Sequence, residues 1–149
     1  MTSSTSGEPS PAFVDTNVLV YAIEQETSER QLTAARLLDR LMDGDLLRTS
    51  TQVLKELYVT LTRKVAEPAS PAAALAYLER LSAWPVFETD VGAVFDACRL
   101  SDRATISMWD ALIVVAARRS GCPILYTEDL NHGQEIVGVR IVNPFRDAG

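Results

Sequence analysis

Short apolar runs alternate along this chain with longer stretches in which apolar residues recur every three or four positions. "AFV" (12–14), "LLRTS" (46–50), "PVFET" (85–89), "PILYT" (123–127) and "VRIVN" (139–143) have the length and composition of buried strands. Helical spacings lie between them. "NVLVYAIE" (17–24) reads as a turn or two of helix, and "ERQLTAARLLDRLMDG" (29–44) puts Leu32, Ala35, Leu38, Leu41 and Met42 on one side, with Gly44 as the stop. Ser50 or Thr51 caps a helix through "QVLKELYVTLTRKV", whose apolar side carries Val53, Leu57, Leu61 and Val65. Ser70 and Pro71 open "AAALAYLERLSA" (72–83). Asp90 caps "VGAVFDACRLSDRA", and Ser107 caps "MWDALIVVAARRSG", which closes on Arg118, Arg119 and Gly121. Short strands alternating with helices predict an α/β sandwich around a mainly parallel central sheet.

Composition adds bounds. The 149 residues fit one domain, expected over 12–149, behind a Ser/Thr/Gly/Pro-rich leader "MTSSTSGEPSP" (1–11) that reads as disordered. The leader lacks the basic start and apolar block of a secretory signal, and no apolar run approaches the ~20 residues of a membrane span. Cys98 and Cys122 are the only cysteines and His132 the only histidine, which disfavours a zinc site and predicts two reduced, half-buried thiols in a cytoplasmic protein. The net charge of −6 argues against a simple basic nucleic-acid binder.

"FVDTNVLVY" (13–21) then poses a physical question, because Asp15 is flanked on both sides by apolar residues. A buried carboxylate without a partner is costly, so a cation, a hydrogen-bond cradle or a reaction must account for it. In open α/β sheets ligands gather beyond the carboxyl ends of the strands. Asp15 and Asp129 follow predicted strands, while Glu56 and Asp110 lie in the early turns of helices that begin at the same edge. Each has a plain structural explanation when taken alone. Asp110 suits the helix macrodipole, Glu56 a solvated helix position beside Lys55, and Asp129 a turn. Together they predict one acidic cleft whose mutual repulsion requires protons or bound cations. Oxygen ligands without cysteine or histidine point to Mg²⁺ or Mn²⁺, which activate water and stabilise phosphodiester transition states. Two such ions would also turn a phosphate-repelling cleft into an attracting one.

The segments "FVDTNVLVYA", "TSTQVLKELYVTLTRK", "WDALIVVAA", "YTEDLNHGQ" and "VRIVNPF", in this order, resemble a PIN domain, most closely the VapC-like ribonuclease toxins of bacterial toxin–antitoxin pairs. The resemblance runs from Phe13 to Phe145 and implies a PIN-like three-layer α/β/α sandwich with a central mainly parallel sheet. It places the family's acidic quartet on Asp15, Glu56, Asp110 and Asp129, both as metal ligands and as the catalytic set. Asn17 falls on the polar partner of the first Asp, to orient that carboxylate or a water. Thr127 falls on a small hydroxyl residue that supports the site from behind. Glu128 is expected to turn away by strand alternation. The resemblance further implies RNA hydrolysis by an activated water with no side-chain nucleophile, a cognate antitoxin as partner, a homodimer, and no membrane association.

Other residues read as structural. His132 is expected in an exposed loop, Arg118 and Arg119 at a helix C-terminus, and Trp84, Trp109, Tyr21 and Tyr58 in the core or an interface. Arg48, Lys55, Arg63 and Lys64 surround the Glu56 helix and are candidates for phosphate contact. Two rival functions stand beside the nuclease. A phosphohydrolase with Asp15 as covalent nucleophile would look for a second Asp where this chain has Asn17. A catalytically silent acidic module would bind a basic partner protein instead.

Overall fold

The computed structural model describes residues 9–146, so the expected leader lies outside the described residues over positions 1–8. A six-stranded sheet in the order β3-β2-β1-β4-β6-β5 is flanked by helices in an α/β/α arrangement. Its strands are β1 (Ala12–Val14), β2 (Leu47–Ser50), β3 (Val86–Phe87), β4 (Ile124–Tyr126), β5 (Glu135–Ile136) and β6 (Val139–Val142). All pairings are parallel except that of β5 with β6. The helices are α1 (Thr16–Ala22), α2 (Glu29–Asp43), α3 (Thr51–Val59), α4 (Pro71–Leu81), α5 (Val91–Ala104) and α6 (Met108–Arg119).

Local sequence sets most boundaries. Ser28, Ser50, Ser70, Asp90 and Ser107 each accept the backbone N–H three residues on, closing the first turns of α2 to α6. Ser50 rather than Thr51 is therefore the cap of α3. The apolar stripe of that helix is as spaced: Val53 and Leu57 are fully buried and Leu61 nearly so. The helix widens into a π-helical segment at Thr60–Lys64, and Val65 is extended. The α6 run 111–117 is buried throughout, as suits a helix packed across β2, β4 and β6.

Two expectations are corrected. The α2 core face is Ala34, Leu37, Leu38, Leu41 and Met42, whereas Leu32 is 39% exposed and Ala35 only half-buried. Leu32 lies about 160° around the helix from Ala34, so docking that stripe against α1 turns Leu32 to solvent. The sequence pattern also missed β5. This two-residue edge strand returns on β6 through a tight turn in which Val137 (φ 44°) and Gly138 (φ 84°) both take positive φ.

Topology positions the site. β1 feeds β2 on one side and pairs with β4, from the far end of the chain, on the other. The strand order thus reverses between β1 and β4, which makes that edge the natural crevice of the sheet. Val14 and Tyr126 are register partners, so Asp15 and Thr127, one residue further along each strand, emerge side by side.

Candidate active site

Asp15 is 5% exposed and ends β1, its N–H donating to the Tyr126 carbonyl (3.0 Å). One carboxylate oxygen accepts the Thr16 N–H (2.7 Å), which begins α1, and the other accepts the Thr127 hydroxyl (2.9 Å). Thr127 is fully buried. Its oxygen also accepts the Asp129 N–H (3.1 Å) and the Asn17 side-chain amide (3.4 Å). One hydroxyl therefore joins β1, α1 and the segment after β4. Asn17 reaches Asp15 through Thr127 rather than directly, and its buried side-chain oxygen has no hydrogen-bond partner.

Glu56 approaches from α3. The Thr16 hydroxyl donates to one of its oxygens (3.4 Å) and the Gln52 amide to the other (2.9 Å). The same amide donates to the Trp109 carbonyl (3.4 Å), which ties Glu56 to the first turn of α6, where Asp110 lies. Asp15, Asn17, Glu56 and Asp129 line one open cavity of about 380 Å³, together with Tyr21 and Glu24. Asp110 is not part of that lining but stands near enough to sense Asp129 and Glu56.

The electrostatics follow from burial. Desolvation, opposed by the Thr16 and Thr127 hydrogen bonds and reinforced by the charges of Asp129 and Glu56, pushes the Asp15 pKa up to about 7. Desolvation and the same two neighbours also raise Asp110, against its hydrogen bond with Ser107. Two carboxyls on different elements thus feel the same pair of charges.

As ligands, these groups offer oxygen alone, the donor chemistry of a hard divalent cation. Among the described residues, no three carboxyl, imidazole or thiol groups stand close enough together to close around one ion. Asp15 is locked by its two hydrogen bonds, whereas Glu56 and Asp129 are exposed and Asp110 half-exposed. Mutual repulsion among rim carboxylates of this kind is relieved when a cation neutralises them. The buried, unpartnered oxygen of Asn17 adds a neutral donor beside them. The residues fit such an ion in kind.

Neighbouring groups sort themselves by contact. Glu128 does turn away: it accepts the Tyr21 hydroxyl (2.9 Å) and pairs with Arg30 (3.6 Å). Tyr21 is half-buried at the cleft, its ring edge-on to Phe145 and under the Arg30 guanidinium. Trp109 corrects the core expectation, being 67% exposed, while Trp84 is half-buried and donates to Asp45 (3.3 Å). His132 is exposed and accepts the Asn143 N–H (3.0 Å). Arg118 and Arg119 lie in the last turn of α6 as expected, and Arg119 also pairs with Asp90 and Asp96. Both thiols are free, Cys98 exposed and Cys122 buried, with burial pushing the Cys122 pKa up to about 12. Thr16 and Gln52 escaped the sequence reading. Thr16 had a usable signal in its adjacency to Asp15; Gln52 acts only because α3 and α6 meet.

Comparison with known proteins agrees with this fold. The PIN domain family model matches residues 12–134. No curated protein matches the sequence significantly. Among solved structures, the chain is similar to Mycobacterium tuberculosis VapC20, described as a Sarcin-Ricin loop cleaving toxin, at 25% identity and TM-score 0.63 over 79% of this chain and 89% of that one. It is also similar to FitAcB from Neisseria gonorrhoeae (18% identity, TM-score 0.64, covering 91% and 99%). A third likeness is to VapBC2 from Rickettsia felis bound to a promoter DNA fragment (19% identity, TM-score 0.63, covering 89% and 97%). With a match spanning β1 to the approach of β5, and with the strand-end carboxylate that opens the fold's crevice, this chain belongs to the PIN domain family.

Proposed function

We propose that this chain is a Mg²⁺- or Mn²⁺-dependent endoribonuclease, the toxin of a toxin–antitoxin pair working in the cytoplasm as a homodimer, with Asp15, Glu56, Asp110 and Asp129 as its catalytic carboxylates. The observation that carries this reading is Asp15: a buried carboxylate at the strand-order reversal, its pKa lifted to about 7 and two further carboxylates within electrostatic reach. Its two hydrogen bonds hold the group in place, and the raised pKa beside further carboxylates is the signature of a site that uses a cation or a proton. The likeness to VapC20, a Sarcin-Ricin loop cleaving toxin, supports the choice of reaction. The FitAcB and VapBC2 likenesses support the fold alone.

The chain's own residues divide the work. Asp15 is the fixed anchor, held by Thr16 and Thr127. Thr127 sets the position of Asp129 through its N–H, and Asn17 braces Thr127. Glu56 and Asp110 complete the ligand set from α3 and α6, coupled through Gln52 and the Trp109 carbonyl. When bound, Mg²⁺ or Mn²⁺ supplies an activated water and offsets the charge that grows on the phosphodiester. Glu56 and Asp110, exposed and half-exposed, are the carboxylates placed to move a proton to or from solvent. Bond breaking leaves a 5′-phosphate and a 3′-hydroxyl, since no 2′-hydroxyl attack is required.

The test uses purified protein and labelled RNA with Mg²⁺ or Mn²⁺ against chelator, beside Asp15→Asn and Asp110→Asn. Cleavage should require the metal and vanish in both variants. Metal-independent cleavage or full activity in either variant would sink the proposed site. Trapping of a phosphoaspartate at Asp15 would favour the phosphohydrolase, and absence of cleavage with either metal, together with binding of a basic partner protein, the silent module.

A further inference from the structure

The protein carries a net charge of −6, and its cleft is acidic. A neighbouring hollow of about 260 Å³ is acidic too, with Glu24, Glu26 and Glu67 in its wall. Another hollow, of about 290 Å³, has the opposite sign. Arg99 and Arg103 of α5 and Arg118 and Arg119 of α6 surround it, with Asp96 as the one acid of its lining.

The macrodipole accounts for where Arg103 and Arg118 start but not for their sharing one hollow. Arg103 and Arg118 each lie in the last turn of their helix, where a cation suits the macrodipole. But α5 and α6 run antiparallel across the short turn 105–107, with Arg119 reaching back to Asp90 and Asp96. Arg103 and Arg118 thus start from opposite ends of the hairpin, and both border the same hollow. Asp96 is shared by Arg99 and Arg119, so Arg103 and Arg118 have no carboxylate partner among the described residues. The Arg119 hydrogen bond, with the charges of Arg119, Arg99 and Arg118 behind it, holds the exposed Asp96 carboxyl below its ordinary range, which reports the local positive field.

Guanidinium groups present forked donors that match phosphate oxygens. A net-acidic protein with an acidic cleft repels a polyanionic strand, so the strand needs an attractive surface close by. Arg118 follows Asp110 on the same helix by eight residues, about 12 Å at the helical rise, a span of a few nucleotides. We propose that the arginine-lined hollow between α5 and α6 is a phosphate-binding subsite that anchors the RNA backbone a few nucleotides from the point of cleavage. The identity of the strand rests on the nuclease reading above; the preference for phosphate rests on the hollow itself.

The experiment measures binding of a fluorescein-labelled single-stranded RNA 12-mer to the full chain in chelator, across a range of salt, with cleavage in Mg²⁺ assayed separately. Arg103→Ala/Arg118→Ala should bind about tenfold more weakly, with a plot of log affinity against log salt shallower by about 1.4 for two lost phosphate contacts. In cleavage, that double variant should raise KM for the 12-mer and leave kcat near wild type. Arg36→Ala, a control on α2, should change neither affinity nor slope. A wild type that cleaves RNA yet shares affinity and salt slope with the double variant overturns the subsite and leaves the nuclease standing. A variant that binds normally but loses kcat overturns the subsite equally. Loss of cleavage in Asp15→Asn with the arginine effect intact reports on the nuclease reading alone.

Discussion

Asp15 supplies a measurement that needs no substrate. In the folded chain without metal its pKa is about 7, against an ordinary 3.8. Between these values the folded state holds a proton that the unfolded state has released, so stability falls as pH rises from about 4 to above 7. The shift of about three units corresponds to ~4 kcal/mol once ionisation is complete, an upper bound because local relaxation softens it. For a domain of this size ~1 kcal/mol moves Tm by ~2–4 °C, so the full effect is on the order of 10 °C. Asp15→Asn removes the titration and keeps one carbonyl oxygen to cap α1, while its amide N–H replaces the oxygen that accepted from Thr127. Thermal unfolding in chelator at pH 4.5, 6, 7 and 8.5 should therefore show wild type losing stability relative to Asp15→Asn, with the gap opening between about pH 4 and 7 and levelling off above that. Adding Mg²⁺ at pH 8.5 should restore wild type by ~3 kcal/mol at a hundredfold excess over its Kd and leave the variant unmoved. Parallel pH profiles for the two proteins, or an equal Mg²⁺ effect on both, would refute the argument.

Three further outcomes follow from single contacts. Thr127→Ala removes the hydroxyl that serves Asp15, Asp129 and Asn17, and should cost ~1–3 kcal/mol in denaturant unfolding while lowering RNA cleavage; unchanged activity would show that the hydroxyl does not set the carboxylates. Leu57→Ala, at a fully buried position of α3, should cost ~2–5 kcal/mol by the same measurement, and a cost below ~1 kcal/mol would contradict the packing of that helix. Val137→Asn places a residue suited to positive φ in the β5–β6 turn, where a β-branched side chain is strained, and should stabilise by ~1 kcal/mol; a lower Tm would count against the turn geometry.

Much was legible in the linear pattern because its causes are local. Ser50, Ser70, Asp90 and Ser107, each before an apolar-periodic run, named four helix starts and do cap them, while Ser28 caps α2 without having been singled out. The parallel sheet followed from alternation of strand and helix. Local signals failed where the cause was distant. The working face of α2 was chosen by docking on α1, which turned Leu32 outward, and β5 exists because β6 offers it an edge. Trp109 read as apolar mass, and only the packing of α6 left it 67% exposed at the end of that helix.

The sequence by itself determined that a carboxylate, Asp15, would stand between two apolar runs, and that three others would sit at strand ends or helix starts. Their side-chain types and local elements are properties of a few consecutive residues. Only the tertiary structure decided that β4 would lie beside β1. That pairing sets Thr127 against Asp15 across 112 positions of chain and lets Glu56 and Asp129 raise the Asp15 pKa. The reason is physical: desolvation, hydrogen bonding and Coulomb repulsion act over ångströms of space, and distance along the chain carries no information about them until the sheet has closed.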